Sequence, residues 1–435
     1  MKNRFFFLIF FLLISCNNPN QKFEINIEDL KSEGSVLITN QQLKNENNEI
    51  FKINSVKLSK FEDIKNWYYP FYSSNNIVPH LNLDINFIIN KTAKFNYHKN
   101  NFFKKQVVSN KSKIFYVDDY SNLHIISKDS LELVKKIKLY EKKFSKNYAL
   151  KFSIILVNEI LYLSDNLGSI MAINIENYKI LWKKSLIVPF VSNMVFYKNS
   201  LYVTNYNGKL YSFDSLTGKQ NWSYETGTNT LKNYNSYKIA LENNYLIFAN
   251  DLKYIYCLDL DKQNVIWNFK IKDSSSVNLE NFKLSDLSIK NGLLYFSSNT
   301  GIFYKINIQS GQVLWSNNIT TSNNFIINSN YIFAVDDEGY FIISNIISGD
   351  VLFKKNLRKY FELNKINTDV VFNNIFISFD KFYITANNGY FVSLNSKNLN
   401  DIKYVKVSNN IVSNIIHQND SIVFIGENKF IYKIK

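Results

Sequence analysis

Residues 200–226 read SLYVTNYNGKLYSFDSLTGKQNWSYET. Apolar and polar side chains alternate through two runs, as they do in half-buried strands. A first turn closes on Gly208, a second on Gly218, and a third strand ends near Trp222. The same texture returns at 160–186, 293–319 and 331–357, with weaker copies at 114–139, 245–271 and 381–407. A final copy at 421–435 stops after two strands, which makes eight units.

The spacing inside the units is regular. Gly168 precedes Trp182 by 14 positions, and the same interval joins Gly208 to Trp222, Lys253 to Trp267, Gly301 to Trp315 and Gly339 to Phe353. Successive aromatics lie 40, 45, 48 and 38 residues apart, the length of a four-stranded propeller blade. An apolar segment precedes most units, as at 192–197, 286–289, 324–327 and 411–416, and supplies a fourth strand. Such a sheet cannot bury both faces alone, so the units must stack around an axis, and circular closure protects their edges. The predicted fold is therefore all-β: an eight-bladed β-propeller of four-stranded antiparallel blades, closed by an N-terminal strand that completes the truncated last unit. The alternating stretch Glu49–Leu58, EIFKINSVKL, is the predicted closing strand.

The amino terminus carries a different signal. Lys2 and Arg4 precede an apolar run from Phe5 to Ile14, far shorter than the roughly 20 residues that cross a bilayer, which predicts a secretory signal. Leu13-Ile14-Ser15-Cys16 resembles the lipobox of bacterial lipoproteins, so residues 1–15 are expected to be removed and Cys16 acylated. Several acyl chains would anchor the protein stably to a membrane. Asn17 after the cysteine favours the outer membrane by the enteric sorting rule. Residues 16–48 are polar and read as a tether, and 49–435 as the propeller.

Composition limits the remaining choices. The formal net charge of +15 would fit nucleic acid or an anionic membrane surface if it were concentrated, but Lys and Asn are scattered along the chain with no basic patch, and no nucleic-acid partner is expected. After acylation Cys257 is the only thiol left, so no internal disulfide can form; within YIYCLDL it reads as a small buried strand residue. His80, His98, His124 and His417 have no metal-binding spacing, and no nucleophile elbow or phosphate loop occurs. Asp118-Asp119 and Asp336-Asp337-Glu338 fall at hairpin turns, where Asp is favoured for backbone reasons. No catalytic, cofactor-binding or metal-binding residue is predicted.

The units are similar to the PQQ-like repeat, whose docking pattern runs roughly Ala-x-Asp-x-x-Thr-Gly-x-x-x-Trp. The nearest copy runs from Ser212 through Asp214, Thr217 and Gly218 to Trp222, and Ile308 to Trp315 follows it closely. In that family the Trp packs between adjacent blades, which implies a structural docking role for Trp182, Trp222, Trp267 and Trp315. With the lipobox and eight units, the chain resembles the BamB family, lipoproteins of the outer-membrane β-barrel assembly (BAM) machinery. Lys253 and Phe353 depart from the consensus, and the 114–139 and 381–407 copies have lost most of it. The resemblance implies a non-catalytic scaffold on the periplasmic side of the outer membrane, which binds the POTRA domains of a BamA-like protein and other BAM components and assists insertion of β-barrel proteins. It leaves the contact residues unassigned, since loops such as 272–284 are divergent. An envelope propeller with another periplasmic partner or a small ligand is the alternative. A PQQ-dependent dehydrogenase is a further one, but such enzymes resemble longer chains with adjacent cysteines, which this sequence lacks.

Overall fold

The structure is a computed structural model that describes residues 49–94, 104–141, 149–230, 233–272, 277–366, 369–418, 420–427 and 430–435. The signal, Cys16 and the tether lie outside the described residues. Eight antiparallel sheets follow one another along the chain. Their innermost strands are Val107–Ser109, Phe152–Val157, Val195–Tyr197, Ile239–Glu242, Ser288–Lys290, Ile326–Asn328, Phe372–Ser378 and Ile416–Gln418. We number the blades 1 to 8 in that order. Each blade then runs outward, strand beside strand, to an edge such as Ile180–Ser185 in blade 2 or Val313–Asn317 in blade 5.

Period-2 alternation explains the middle strands, which pack between neighbouring blades on both faces. Leu161, Leu163, Met171 and Ile173 of blade 2 meet blade 1 through Phe115, Leu123 and Ile125. On its other face, Tyr162, Ile170 and Ala172 meet Leu201, Val203 and Phe213 of blade 3. The outer strand repeats a bulge one residue before the docking position. Leu181, Asn221, Ile266, Leu314 and Leu352 are skipped in the register, so the next side chain turns toward the following blade.

The ring closes between blades 8 and 1, where Asn414 accepts from Val107 N at 2.8 Å and returns a bond to Val107 O at 3.0 Å. Blade 8 is composite, as expected, but the closing strand is not Glu49–Leu58. Ile89–Lys94 pairs antiparallel with Phe430–Ile434, in the register Ile89 to Ile434 and Asn90 to Lys433. Of the predicted stretch, only Ile50–Phe51 is a strand, and it adds a fifth member to blade 6 against Lys354 and Phe353. The continuation crosses to blade 7, with Val56 N donating to Ser396 O and Asn54 O accepting from Leu399 N. Its alternation serves two docking contacts, whereas the true closing strand is an edge and needs little apolar pattern.

Candidate functional site

The docking aromatics sit in slots built by the next blade. Trp182 Nε1 donates to Ser215 O at 2.9 Å, Trp267 to Ile308 O at 2.6 Å and Trp315 to Ile346 O at 3.2 Å. Each ring lies on the glycine three residues further on. A Cβ at Gly218 would stand 2.4 Å from the Trp182 ring, one at Gly311 2.7 Å from Trp267 and one at Gly349 2.8 Å from Trp315. Trp222 packs beside Leu260 and Val265 of blade 4, where Gln263 takes the glycine's left-handed backbone with φ of 54°. Phe353 is fully buried against Phe51 and Phe341.

The axis is closed at one end by the chain itself. Between Phe51 and the closing strand, residues 59–88 touch the innermost strand of blade after blade. Ser59 N donates to Asn328 Oδ1 of blade 6, and Ile64 O meets His417 Nδ1 of blade 8. Trp67 exchanges two 2.8 Å backbone bonds with Ser109 of blade 1. Tyr68 O accepts from Leu156 of blade 2, Ser74 O from Leu241 of blade 4 and Asn75 O from Ile289 of blade 5. Leu81 N donates to Ile377 O of blade 7, and Tyr69 packs among Phe190, Met194 and Leu201 of blade 3. Above this plug remains a cavity of about 40 Å³ lined in part by Trp67, Asn76, Asn414 and His417, room for a few waters. The contact with Ile64 O puts the His417 proton on Nδ1 and leaves a lone pair on Nε2, which has no protein partner. Burial pushes its pKa down to about 4.

The other end of the axis is cationic. Lys104, Lys151 and Lys238 stand just before the innermost strands of blades 1, 2 and 4, and Asp286 just before that of blade 5. Lys104 Nζ reaches Asn374 Oδ1 of blade 7 at 2.7 Å, and Lys238 Nζ reaches Asp286 Oδ1 at 3.0 Å. Desolvation by the surrounding blades, and for both the nearby Lys238 charge, push Lys104 and Lys151 down to about 8 against the pull of Asp286. From Lys238 a groove of about 420 Å³ runs outward past Asn299 and Asn323 to Arg358.

Three comparisons with known proteins bear on this geometry. The family model described as "Outer membrane protein assembly factor BamB" matches residues 153–355. Among solved structures, BamB from Moraxella catarrhalis superposes with a TM-score of 0.63 at 10% identity, over 80% of this chain and 100% of that one. This chain is a PQQ-like repeat propeller similar to BamB. A quinohemoprotein alcohol dehydrogenase from Comamonas testosteroni also matches, with a TM-score of 0.60 at 8% identity over 85% of this chain and 80% of that one. A europium-containing methanol dehydrogenase does so with a TM-score of 0.60 at 10% identity, over 85% and 89%. At such identities these likenesses concern the fold alone. No curated protein matches the chain in sequence.

The propeller's own residues do not suit a calcium-bound quinone. Among the described residues no three His, Cys, Asp or Glu side chains gather where they could hold a metal. The axial groups at the open end are three ammoniums and one carboxylate, which repel a divalent cation. The remaining titratable residues serve the blades. Asp118 holds its turn through Tyr120 N and Asn122 N and binds His124 Nε2 at 2.8 Å, while Asp119 pairs with Lys105. Asp336 accepts from Tyr340 N and pairs with Lys354 at 3.4 Å, and Asp337 Oδ1 accepts from Ser322. His80 bridges Ser59 O and Phe379 O, and His98 lies outside the described residues. Cys257 is buried in blade 4, and desolvation pushes its thiol up to about 12. The sequence reading missed both ends of the axis. The aromatic run Trp67-Tyr68-Tyr69 and the position of three lysines just ahead of innermost strands were the signals.

Proposed function

We propose that this protein is a non-catalytic scaffold lipoprotein of the BAM machinery. Acylated Cys16 holds it to the periplasmic side of the outer membrane, its loops dock onto the POTRA domains of a BamA-like protein, and it assists insertion of β-barrel precursors. The observation that carries the reading is the match of the BamB description to residues 153–355, which span blades 2 to 6 almost in full. The lipobox supports the anchor, and among the described residues no helix is long and apolar enough to cross a membrane. Outer strands begin with exposed pairs such as Ile180-Leu181 and Val313-Leu314, short edges suited to contact with a partner.

Crosslinking in intact envelopes, followed by affinity recovery of the full chain, tests the partner. The expected product is a covalent complex with a BamA-like barrel protein; recovery of a different envelope protein in its place overturns the assignment and favours an unrelated propeller scaffold. Fractionation tests the anchor: Cys16→Ala is expected in the soluble periplasmic fraction, and its retention in membranes contradicts lipidation. Oxidation of alcohols by the protein after incubation with quinone and calcium would replace the scaffold with an enzyme.

A further inference from the structure

We propose that the outer rim of blades 8, 1 and 2, with blade 7 beside them, is a contact surface for an anionic phospholipid membrane. The inference goes beyond the scaffold reading and takes from it only the nearness of a membrane that acylated Cys16 would give.

The outer strands divide the ring by charge. Those of blades 7, 8, 1 and 2 read NLNDIKYVK, INKTAK, LVKKIK and ILWKKS, nine lysines against the single carboxylate of Asp401. Those of blades 3, 4 and 5 read QNWSYE, NVIWNFK and VLWSN, one lysine against one glutamate. Blade 6 is neutralised and covered: Lys354 pairs with Asp336, Lys355 with Glu49, and Ile50–Phe51 lies along its edge. Lysine on an edge strand also wards off edge-to-edge pairing of sheets, but blades 3 and 5 leave the same edge uncovered and carry none there. The sidedness needs another cause. Lys135, Lys136, Lys138 and Lys184 are exposed and form no ion pair with a described residue. Asp129, Glu132, Glu141 and Glu176 in the adjoining turns offset part of the excess, and Lys179 restores some of it.

Apolar side chains border the lysines. Ile88 precedes the outer strand of blade 8, Leu133-Val134 opens that of blade 1 and Ile180-Leu181 that of blade 2, each residue between 41% and 59% exposed. In blade 2 the register runs from Ile180 to Ile173, Leu161 and Leu156, whose amide meets the plug. The apolar residues therefore lie at the plugged side of the rim, with the lysines further along each strand. Such a border settles into a headgroup layer while the ammoniums meet lipid phosphates. The position fits as well, because the 32 residues that follow Cys16 end at Glu49 on blade 6, next to this arc. A tethered rim meets the lipid at high effective concentration, so weak contacts suffice. Salt screens them, and they do not hold the Cys16→Ala chain in washed membranes. Neutral edges such as Val313-Leu314 stay free for a protein partner.

Leu181 and Leu314 provide a matched pair for the test. Each precedes a docking tryptophan, at 48% and 46% exposure, one inside the arc and one outside it. Leu181→Cys and Leu314→Cys, each in the acylated full chain, are labelled with a fluorophore and mixed with vesicles that carry a quencher on lipid headgroups. Cys257 is buried and stays unlabelled. Flotation of the vesicles reads the anchor separately. With phosphatidylethanolamine and phosphatidylglycerol, quenching at 181 should exceed that at 314 by about threefold. The difference should vanish at about 0.5 M salt, in phosphatidylcholine alone, and in a chain with Lys135→Gln, Lys136→Gln, Lys138→Gln and Lys184→Gln that still floats. Equal quenching at the two positions, quenching at 181 without phosphatidylglycerol, or a difference unchanged in the glutamine variant overturns the proposal. So does a label at 181 that answers to soluble polyglutamate and not to lipid, which would assign the arc to an acidic protein. Loss of flotation with the difference intact refutes the anchor alone; loss of the difference with flotation intact refutes the rim alone. The lipid comparison uses the unaltered lysines, so it stands even if the glutamine variant fails to fold.

Discussion

At the scale of the residue, Trp182 joins two sheets with one side chain, its ring on Gly218 and its indole N–H on Ser215 O. Trp182→Ala should lose about 3–5 kcal/mol in chemical denaturation. Two glycines separate the ring contact from backbone strain. Gly292 has φ of 73° with nothing within 4 Å of an added Cβ, whereas Gly218 has φ of 69° and the Trp182 ring in that place. Gly292→Ala should cost about 1–2 kcal/mol for the left-handed backbone alone, and Gly218→Ala clearly more. Equal losses would remove the slot from the account. Cys257 should resist a thiol reagent at pH 8 in the folded chain and react fully in denaturant, because its thiol is buried and its pKa is raised. His417 makes a pH prediction whose sign follows from its depressed pKa. The unfolded chain takes up a proton near pH 6.5 and the folded chain only near 4, so stability falls as the pH drops through that window, by about 3 kcal/mol. Denaturation of His417→Gln across the same range should show less of this loss.

At the scale of the element, legibility followed physical need. A docking aromatic and its turn glycine are constrained by contact and φ, so the 14-residue interval was readable from Gly168 and Trp182 through Gly301 and Trp315. The closing strand was not. Ile89-Asn90-Lys91-Thr92-Ala93-Lys94 lies at the sheet edge, and backbone pairing with Phe430–Ile434 determines its position more than apolar period does. Glu49–Leu58 looked more like a strand because the exposed Phe51 sets its ring against Phe353 of blade 6 while Val56 is buried beside blade 7. The plug, WYYPFYSSNN at 67–76, has no period to detect, since Trp67, Tyr68, Ser74 and Asn75 answer to four different innermost strands. Register gives a direct check. Asn90→Cys with Lys433→Cys should oxidise to an intramolecular disulfide, facing Cα atoms in such a ladder being about 5.5 Å apart. Ile50→Cys with Lys433→Cys should not; the opposite outcome would restore the first stretch as the closing strand.

At the scale of the whole molecule, eight blades make a ring that its own amino-terminal segment plugs at one end and three lysines line at the other. The net charge of +15 read as diffuse in the sequence, and much of it is; folding nonetheless brings Lys104, Lys151 and Lys238, separated by 134 positions of chain from first to last, to one mouth. No linear pattern reports that convergence, because it depends on which residue precedes each innermost strand. The fold's likeness to both BamB and quinone dehydrogenases leaves function to the axis and the surface, and the axis lacks a metal-holding cluster among the described residues. The most direct measurement is the outer-membrane content of β-barrel proteins in cells depleted of this chain, by quantitative proteomics of purified outer membranes. The account predicts a broad fall in barrel proteins, restored by the full-length chain and by its Gly292→Ala variant. Unchanged barrel content on full depletion would contradict it.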